Sequence, residues 1–294
     1  MRRRLPLPVL VAFLLTAGGR EVTAPVLALA GDVSLARGVA QANAGNWAAA
    51  LQGVRSALQA DASAANLESP LTDAGRMTTG IDLRAPVAAV AALRPLTHLS
   101  VENNHAGDGG AAGQQRSRQM LRAASLSPIT RTLSLSRVGN RTVAWVAYLD
   151  DGRMPPPLEA VREGARRAEV VVVLPHWGAE YGRTTPRQRA QARQLAAAGA
   201  TVVAGSGPHV LQGHEVLQGP RGRVLVLYSL GNLLFDQTLP AARLGAVVRV
   251  PLADVTRACA VPTRTRAGRA LQATGEDHRT ALTRLGLPAC PEGT

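Results

Sequence analysis

Val170-Val-Val-Val-Leu174 is an apolar, β-branched run too short for a helix, and it reads as a strand buried on both faces. His176 and Glu180 follow it directly. Four other stretches end the same way: Val26–Ala30 runs into Gly31-Asp32, Ala64–Leu67 into Glu68, Thr97–Val101 into Asn103-Asn104-His105, and Thr201–Ala204 into Gly205-Ser-Gly-Pro-His209. Five strand ends thus carry Asp, Glu, Asn and His toward what can be one rim, the place where open α/β sheets bind ligands. Taken singly, Asp32 can be a cap and Asn104 a turn residue. Taken together, carboxylate, amide and imidazole form the mixture that hard or borderline divalent ions require. His98 falls within its strand and reads as a core or face histidine.

Helix patterns separate these strands. Asn43–Gln59 places Trp47, Leu51, Val54 and Leu58 at three- and four-residue spacing, and Pro86–Leu93 begins with proline at a first-turn position. Gly113–Ala124, Pro157–Ala168 and Pro186–Ala198 complete the set. Strand and helix in alternation predict an α/β fold with a largely parallel sheet. After Gly222 the alternation stops. Arg223–Tyr228 and Ala246–Leu252 follow as strands without a helix between them, which predicts a second sheet packed on the first.

A chain of 294 residues with 46 % hydrophobic content can bury such a core, and one large domain over residues 25–294 is expected. Aromatic residues are only 3 %, so Ala, Val and Leu must fill it. Arginine supplies all 33 basic residues, and the formal net charge of +13 attracts polyanions. The arginines are dispersed along helix faces such as Arg162, Arg166, Arg187 and Arg193, with few aromatics to stack bases. Nucleic acid is therefore not an expected partner.

Met1-Arg-Arg-Arg4, the apolar Leu5–Ala17 and the small residues ending at Ala24 have the order of an export signal. An uncleaved membrane anchor is the alternative for residues 1–24, and either places the protein in the periplasm or cell envelope. Cys259 and Cys290 are the only cysteines. In an exported chain they can pair, closing the last segment onto the body; two buried thiols are the other reading.

Six motifs then occur in order: Gly31-Asp32-Val-Ser-Leu-Ala-Arg37-Gly38, Asn66-Leu-Glu68-Ser-Pro-Leu-Thr72, Asn103-Asn-His105-Ala-Gly-Asp108, His176-Trp-Gly-Ala-Glu-Tyr181, Pro208-His209-Val-Leu-Gln212-Gly and Tyr228-Ser-Leu-Gly-Asn232-Leu-Leu-Phe-Asp236. Together they resemble the CapA family of bacterial capsule and poly-γ-glutamate synthesis proteins over about residues 26 to 252. The resemblance implies the calcineurin-like metallophosphoesterase fold, a four-layer α/β/β/α sandwich. It also implies work on an anionic envelope polymer or a phosphoester, beside membrane proteins of capsule synthesis and export.

Carried over residue by residue, the resemblance assigns Asp32 and His209 to one metal, Asn104 and His176 to a second, and Glu68 to a bridge. One or two divalent ions (Mn, Zn or Fe) would then neutralise charge developing on a phosphoryl group, two such ions lying roughly 3.5–4 Å apart. His105 matches the proton donor to the leaving oxygen. Arg37 and Asn232 are the candidate substrate-facing residues. The chain departs from the family in the fifth motif, where Gly207 replaces the first of two histidines and removes a ligand from the second ion. His214 is a candidate substitute. A non-catalytic component that binds an anionic polymer or partner proteins is the alternative reading.

Overall fold

The structure is a computed structural model that describes residues 24–291. Of the export signal or anchor read over residues 1–24, all but Ala24 lies outside the described residues. None of the described helices is long and apolar enough to cross a membrane.

Two sheets face each other. The first contains β1 (Val26–Val33), β2 (Ala62–Leu67), β3 (His98–Ser100), β4 (Ser127–Ile129), β12 (Leu244–Pro251), β13 (Cys259–Arg266) and β14 (Arg269–Gln272), in the order β14-β13-β12-β1-β2-β3-β4. The short β11 (Asn232–Leu234) pairs with the end of β1. The second contains β5 (Ser134–Val138), β6 (Arg141–Leu149), β7 (Val170–His176), β8 (Val202–Ala204), β9 (Leu211–Gly219) and β10 (Gly222–Leu230), in the order β5-β6-β7-β8-β10-β9. The first sheet is antiparallel from β14 to β1 and parallel from β1 to β4, and the second is parallel at its centre with an antiparallel pair at each edge.

The two-residue period of the strands divides the core into layers. Leu27 and Leu29 of β1 point between the sheets with Val170, Val172 and Leu174 of β7. Ala28 and Ala30 point outward onto α1 (Arg37–Asn43), α2 (Arg55–Leu58) and a 3₁₀ segment at Val87–Leu93. Val171 and Val173 point the other way onto α4 (Leu158–Arg167) and α5 (Pro186–Ala197). Helix, sheet, sheet and helix are thus the four expected layers. α3 (Gly110–Ala123) joins the first helix layer through Leu121, and α6 (Gly275–Leu285) sends Ala281 and Leu285 into the inter-sheet core.

Three expectations need correction. β7 and β8 do not share a sheet with β1–β3, and β12 lies beside β1 in the first sheet while β10 lies in the second. The strand ends therefore meet across the sandwich. The helix expected over Asn43–Gln59 is broken into α1, a 3₁₀ turn at Trp47–Ala49 and α2. Asn43 turns its amide to the carbonyls of Val39 and Gly268, and Gly53 lies so close to β14 that a Cβ would stand 2.7 Å from the Ala270 carbonyl oxygen. Tertiary packing against that hairpin outweighs the local helix period. Pro86–Leu93 likewise forms the tighter 3₁₀ helix in place of an α-helix.

Cys259 and Cys290 form a disulfide that ties the carboxyl-terminal tail to β13. His98 stacks on Trp145 with ring centroids 4.3 Å apart, as a core histidine should.

Candidate metal centre

The carboxyl ends of β1, β2, β7 and β8 converge where the two sheets meet. Asp32, Glu68 and His209 each offer a ligand atom within 4.8 Å of the other two, and all three are buried. His176 stands beside them, with Nε2 3.9 Å from Glu68 Oε1. Four of the five predicted ligands are therefore brought together.

Glu68 is the anomalous member. It is completely buried, and neither carboxylate oxygen has a hydrogen-bond partner among the described residues. Burial, and then the negative charge of Asp32, push its carboxyl well above the ordinary range. An uncompensated carboxylate here costs several kcal/mol, so a protein retains one only where something positive completes it. The donor set of two carboxylates and two imidazoles fits a divalent ion such as Mn²⁺, Zn²⁺ or Fe²⁺.

The surrounding hydrogen bonds orient this set. The Leu67 carbonyl can only accept, so Asn103 turns Nδ2 toward it at 2.8 Å and toward Asn66 Oδ1 at 3.0 Å. Asn66 then directs its own Nδ2 at Asp32 Oδ1, 2.8 Å away, and at His176 Nδ1, 3.2 Å away. Ser206 Oγ lies 3.1 Å from the same His176 nitrogen. On the other side, Asn232 donates to the Ala242 carbonyl and so presents Oδ1 to His209 Nδ1 at 3.0 Å. Asp32 Oδ2 accepts from that imidazole too, at 3.2 Å, which turns His209 Nε2 toward Glu68 Oε1 at 3.6 Å. The far nitrogen of His209 is thus held by acceptors, the usual support of a ligating histidine.

The charges respond to this packing. Burial works against ionised Asp32, yet the hydrogen bond and charge of His209 bring its carboxyl down to about 2. Burial also works against protonated His209, yet Asp32 raises it to about 9. His176 is held down to about 4, chiefly by burial.

The remaining predicted residues take different places around the centre. Asn104 is exposed, whereas its neighbour Asn103 is the buried amide of the network. His105 gives Nδ1 to Asp108 Oδ2 at 2.9 Å, and the same oxygen accepts the Leu83 N–H at 2.7 Å. That leaves His105 Nε2 free for a ligand. Arg37 stands at the rim, paired with Asp236 and 5.7 Å above the Phe235 ring, whose edge meets His209. Asn232 is fully buried behind His209, so it supports a ligand and offers no surface to substrate. His214 bonds the Leu285 carbonyl at 2.8 Å and takes no part in the centre.

Gly207 gives its backbone N–H to Asp32 Oδ2 at 3.1 Å. Its φ is +107°, and a Cβ there would lie 2.8 Å from the Trp177 carbonyl oxygen, so this loop is built around the absence of a side chain. Asn66, Asn103, Ser206 and Asp108 were not singled out from the sequence, although three of them lie within the six motifs. Polar side chains in such short motifs were the available signal.

The bacterial capsule synthesis protein PGA_cap family model matches residues 26–131 and 131–237. The chain belongs to this family. It is 31 % identical over 220 residues to the PGA biosynthesis protein CapA of Bacillus subtilis, an alignment covering 64 % of this chain and 57 % of that protein. It is 41 % identical over 88 residues to the capsule biosynthesis protein CapA of Bacillus anthracis, covering 30 % of this chain and 20 % of that one. The aligned region thus spans little more than half of the first relative. Among solved structures, a phosphatase of Mycoplasma pneumoniae superposes with a TM-score of 0.52 at 12 % identity, over 82 % of this chain and 93 % of that one. The shared two-sheet sandwich is the calcineurin-like metallophosphoesterase fold.

Proposed function

We propose that this family member is an exported envelope protein of capsule or poly-γ-glutamate-type polymer synthesis whose buried centre hydrolyses a phosphoester with the help of divalent cations. The observation that carries the reading is Glu68: a buried carboxyl whose oxygens have no hydrogen-bond partner among the described residues, with Asp32, His176 and His209 around it. The disulfide between Cys259 and Cys290 supports export, because such bonds persist in oxidising compartments.

A cation held by Asp32, Glu68 and His209, and a second by Glu68 and His176, would supply Lewis-acid polarisation of a phosphoryl group. The chain supplies the rest. Asn232 and Asp32 fix the ring of His209, and Asn66 and Ser206 fix that of His176. Asp108 anchors His105 through Nδ1, so that Nε2 can deliver a proton to the departing oxygen. Arg37 at the rim offers a guanidinium to an anionic substrate. With Gly207 contributing no imidazole, the two cation positions are unequal, the one at His209 being the tighter.

Reconstitution of the purified protein with Mn²⁺ or Zn²⁺, followed by metal analysis and assay on an activated phosphoester, tests the reading. Metal binding with slow turnover is expected. His105→Ala should abolish turnover and keep most of the metal, whereas His176→Ala should lower metal content. Protein that binds no metal and turns over nothing would hand the case to a non-catalytic polymer-binding role.

A further inference from the structure

The turn that follows β7 brings an exposed ring to the centre. Tyr181 stands beside His209 with ring centroids 6.2 Å apart and keeps 48 % of its surface exposed, whereas Phe235, on another side of the same imidazole, is buried. The Tyr181 hydroxyl makes no hydrogen bond among the described residues.

The backbone beneath this ring is strained. Tyr181 has a φ of +58° as the third residue of the turn that the Gly182 N–H closes onto the Ala179 carbonyl at 3.1 Å. Glycine or asparagine is the usual occupant of such a position, and a bulky side chain there is an outlier. Of the five non-glycine residues at positive φ among the described residues, three border the centre: Arg37 at +49°, and Tyr181 and His209 at +58°. Such strain collects at functional sites.

The turn is nevertheless clamped from several directions. Its Tyr181 N–H donates to the Pro208 carbonyl at 2.8 Å, directly before His209. Gln212 gives Nε2 to the Gly182 carbonyl at 3.0 Å and receives Nε2 of Gln188 at 2.9 Å. Gln188 accepts the Thr185 N–H at 2.9 Å and packs so closely on Gly178 that a Cβ there would stand 2.7 Å from its Cδ. Both glutamines are buried. Two buried amides and a strained turn therefore fix a phenol that stays half exposed and bonds nothing in the fold. Burial and then the charge of Glu180 hold that phenol above its usual range, with Glu68 adding to this and Arg37 opposing it. The hydroxyl is thus a donor at neutral pH, within electrostatic reach of the buried carboxyl and of the rim guanidinium.

We propose that Tyr181 is a substrate contact: its hydroxyl donates a hydrogen bond to a phosphoryl oxygen of the anion held on the His209 side of the centre. The strain at this turn is accepted because the partner of the hydroxyl arrives with the ligand. The inference rests on the phosphoester reading for the identity of the anion, and not on its hydrolysis.

Wild type, Tyr181→Phe and Tyr181→Gly are titrated with inorganic phosphate by calorimetry in Mn²⁺ buffer, and turnover of p-nitrophenyl phosphate, metal content and Tm are read on the same samples. A hydrogen bond to a charged group corresponds to roughly ten- to hundredfold in affinity. Tyr181→Phe should therefore weaken phosphate binding and lower kcat/KM by that factor, with metal content unchanged. Tyr181→Gly relieves the backbone and should show the same loss while melting no lower than wild type. Phosphate binding by Tyr181→Phe that matches wild type overturns the proposal, as does wild type that binds no phosphate. A Tyr181→Gly protein that melts far below wild type overturns it too, because the ring would then be a packing element of the fold. Wild type that binds phosphate through Tyr181 but hydrolyses nothing ends the hydrolytic reading and leaves the contact standing. Equal binding and turnover in all three proteins do the reverse.

Discussion

Glu68→Gln keeps the shape of the side chain and removes its charge. In the wild type, burial and then Asp32 hold this carboxyl well above 4.5, its ordinary value. An acid whose folded pKa is raised keeps its proton longer in the folded state, so stability is intact below about pH 4.5 and falls as pH rises toward the folded value. Glutamine escapes that loss, and its amide can donate to Asp32. In EDTA the variant should therefore match wild type at acid pH. At pH 7 it should exceed wild type by about 1–3 kcal/mol, the usual penalty of an unsatisfied buried polar group. For a domain of this size that is roughly 2–10 °C in Tm. Manganese should reverse the order, because a cation at 100 times its Kd stabilises the wild type by about 2.7 kcal/mol and gains little from an amide. Melting both proteins from pH 4 to 8, with EDTA or with Mn²⁺, gives all four curves. A variant that melts below wild type in EDTA at pH 7 would show that the protein itself compensates Glu68. An order unchanged by Mn²⁺ would remove the metal assignment.

His209 must shed a proton to bind a cation, and Asp32 holds that proton up to about pH 9, so calorimetric metal affinity should rise about tenfold per pH unit from 6 to 8. A flat profile would mean that His209 is not a ligand. Asn232→Ala frees the His209 ring and should weaken metal binding about 10–100-fold, read by competition with a chelating dye, while His176→Ala in the same background adds its own loss. Gly207→Ala should destabilise by about 1–3 kcal/mol in urea titrations, from its φ of +107° and the Trp177 carbonyl; an equally stable variant would refute the strained-loop account. Cys259→Ala with Cys290→Ala opens a loop of sequence separation 31 and should cost about 3–4 kcal/mol by the chain-entropy relation, with two titratable thiols in the reduced wild type and none before reduction.

The apolar runs and the polar residues after them pointed, without any coordinates, to strand ends that carry Asp32, Glu68, His176 and His209 toward what could be one rim. A strand buried on both faces has no other composition, and a ligand at its end is fixed by chain order alone. The alternation of helices and strands likewise required layers, and the six motifs named the family. What remained invisible was which strands lie side by side. β7 and β12 exchange the sheets expected of them because pairing is a long-range choice among equally apolar runs. The division of labour between Asn103 and Asn104 also belongs to the tertiary structure: their side chains are chemically identical, and only the Leu67 carbonyl and Asn66 decide which one is buried. The same holds for Asn232, which the sequence placed toward substrate and the fold placed behind His209.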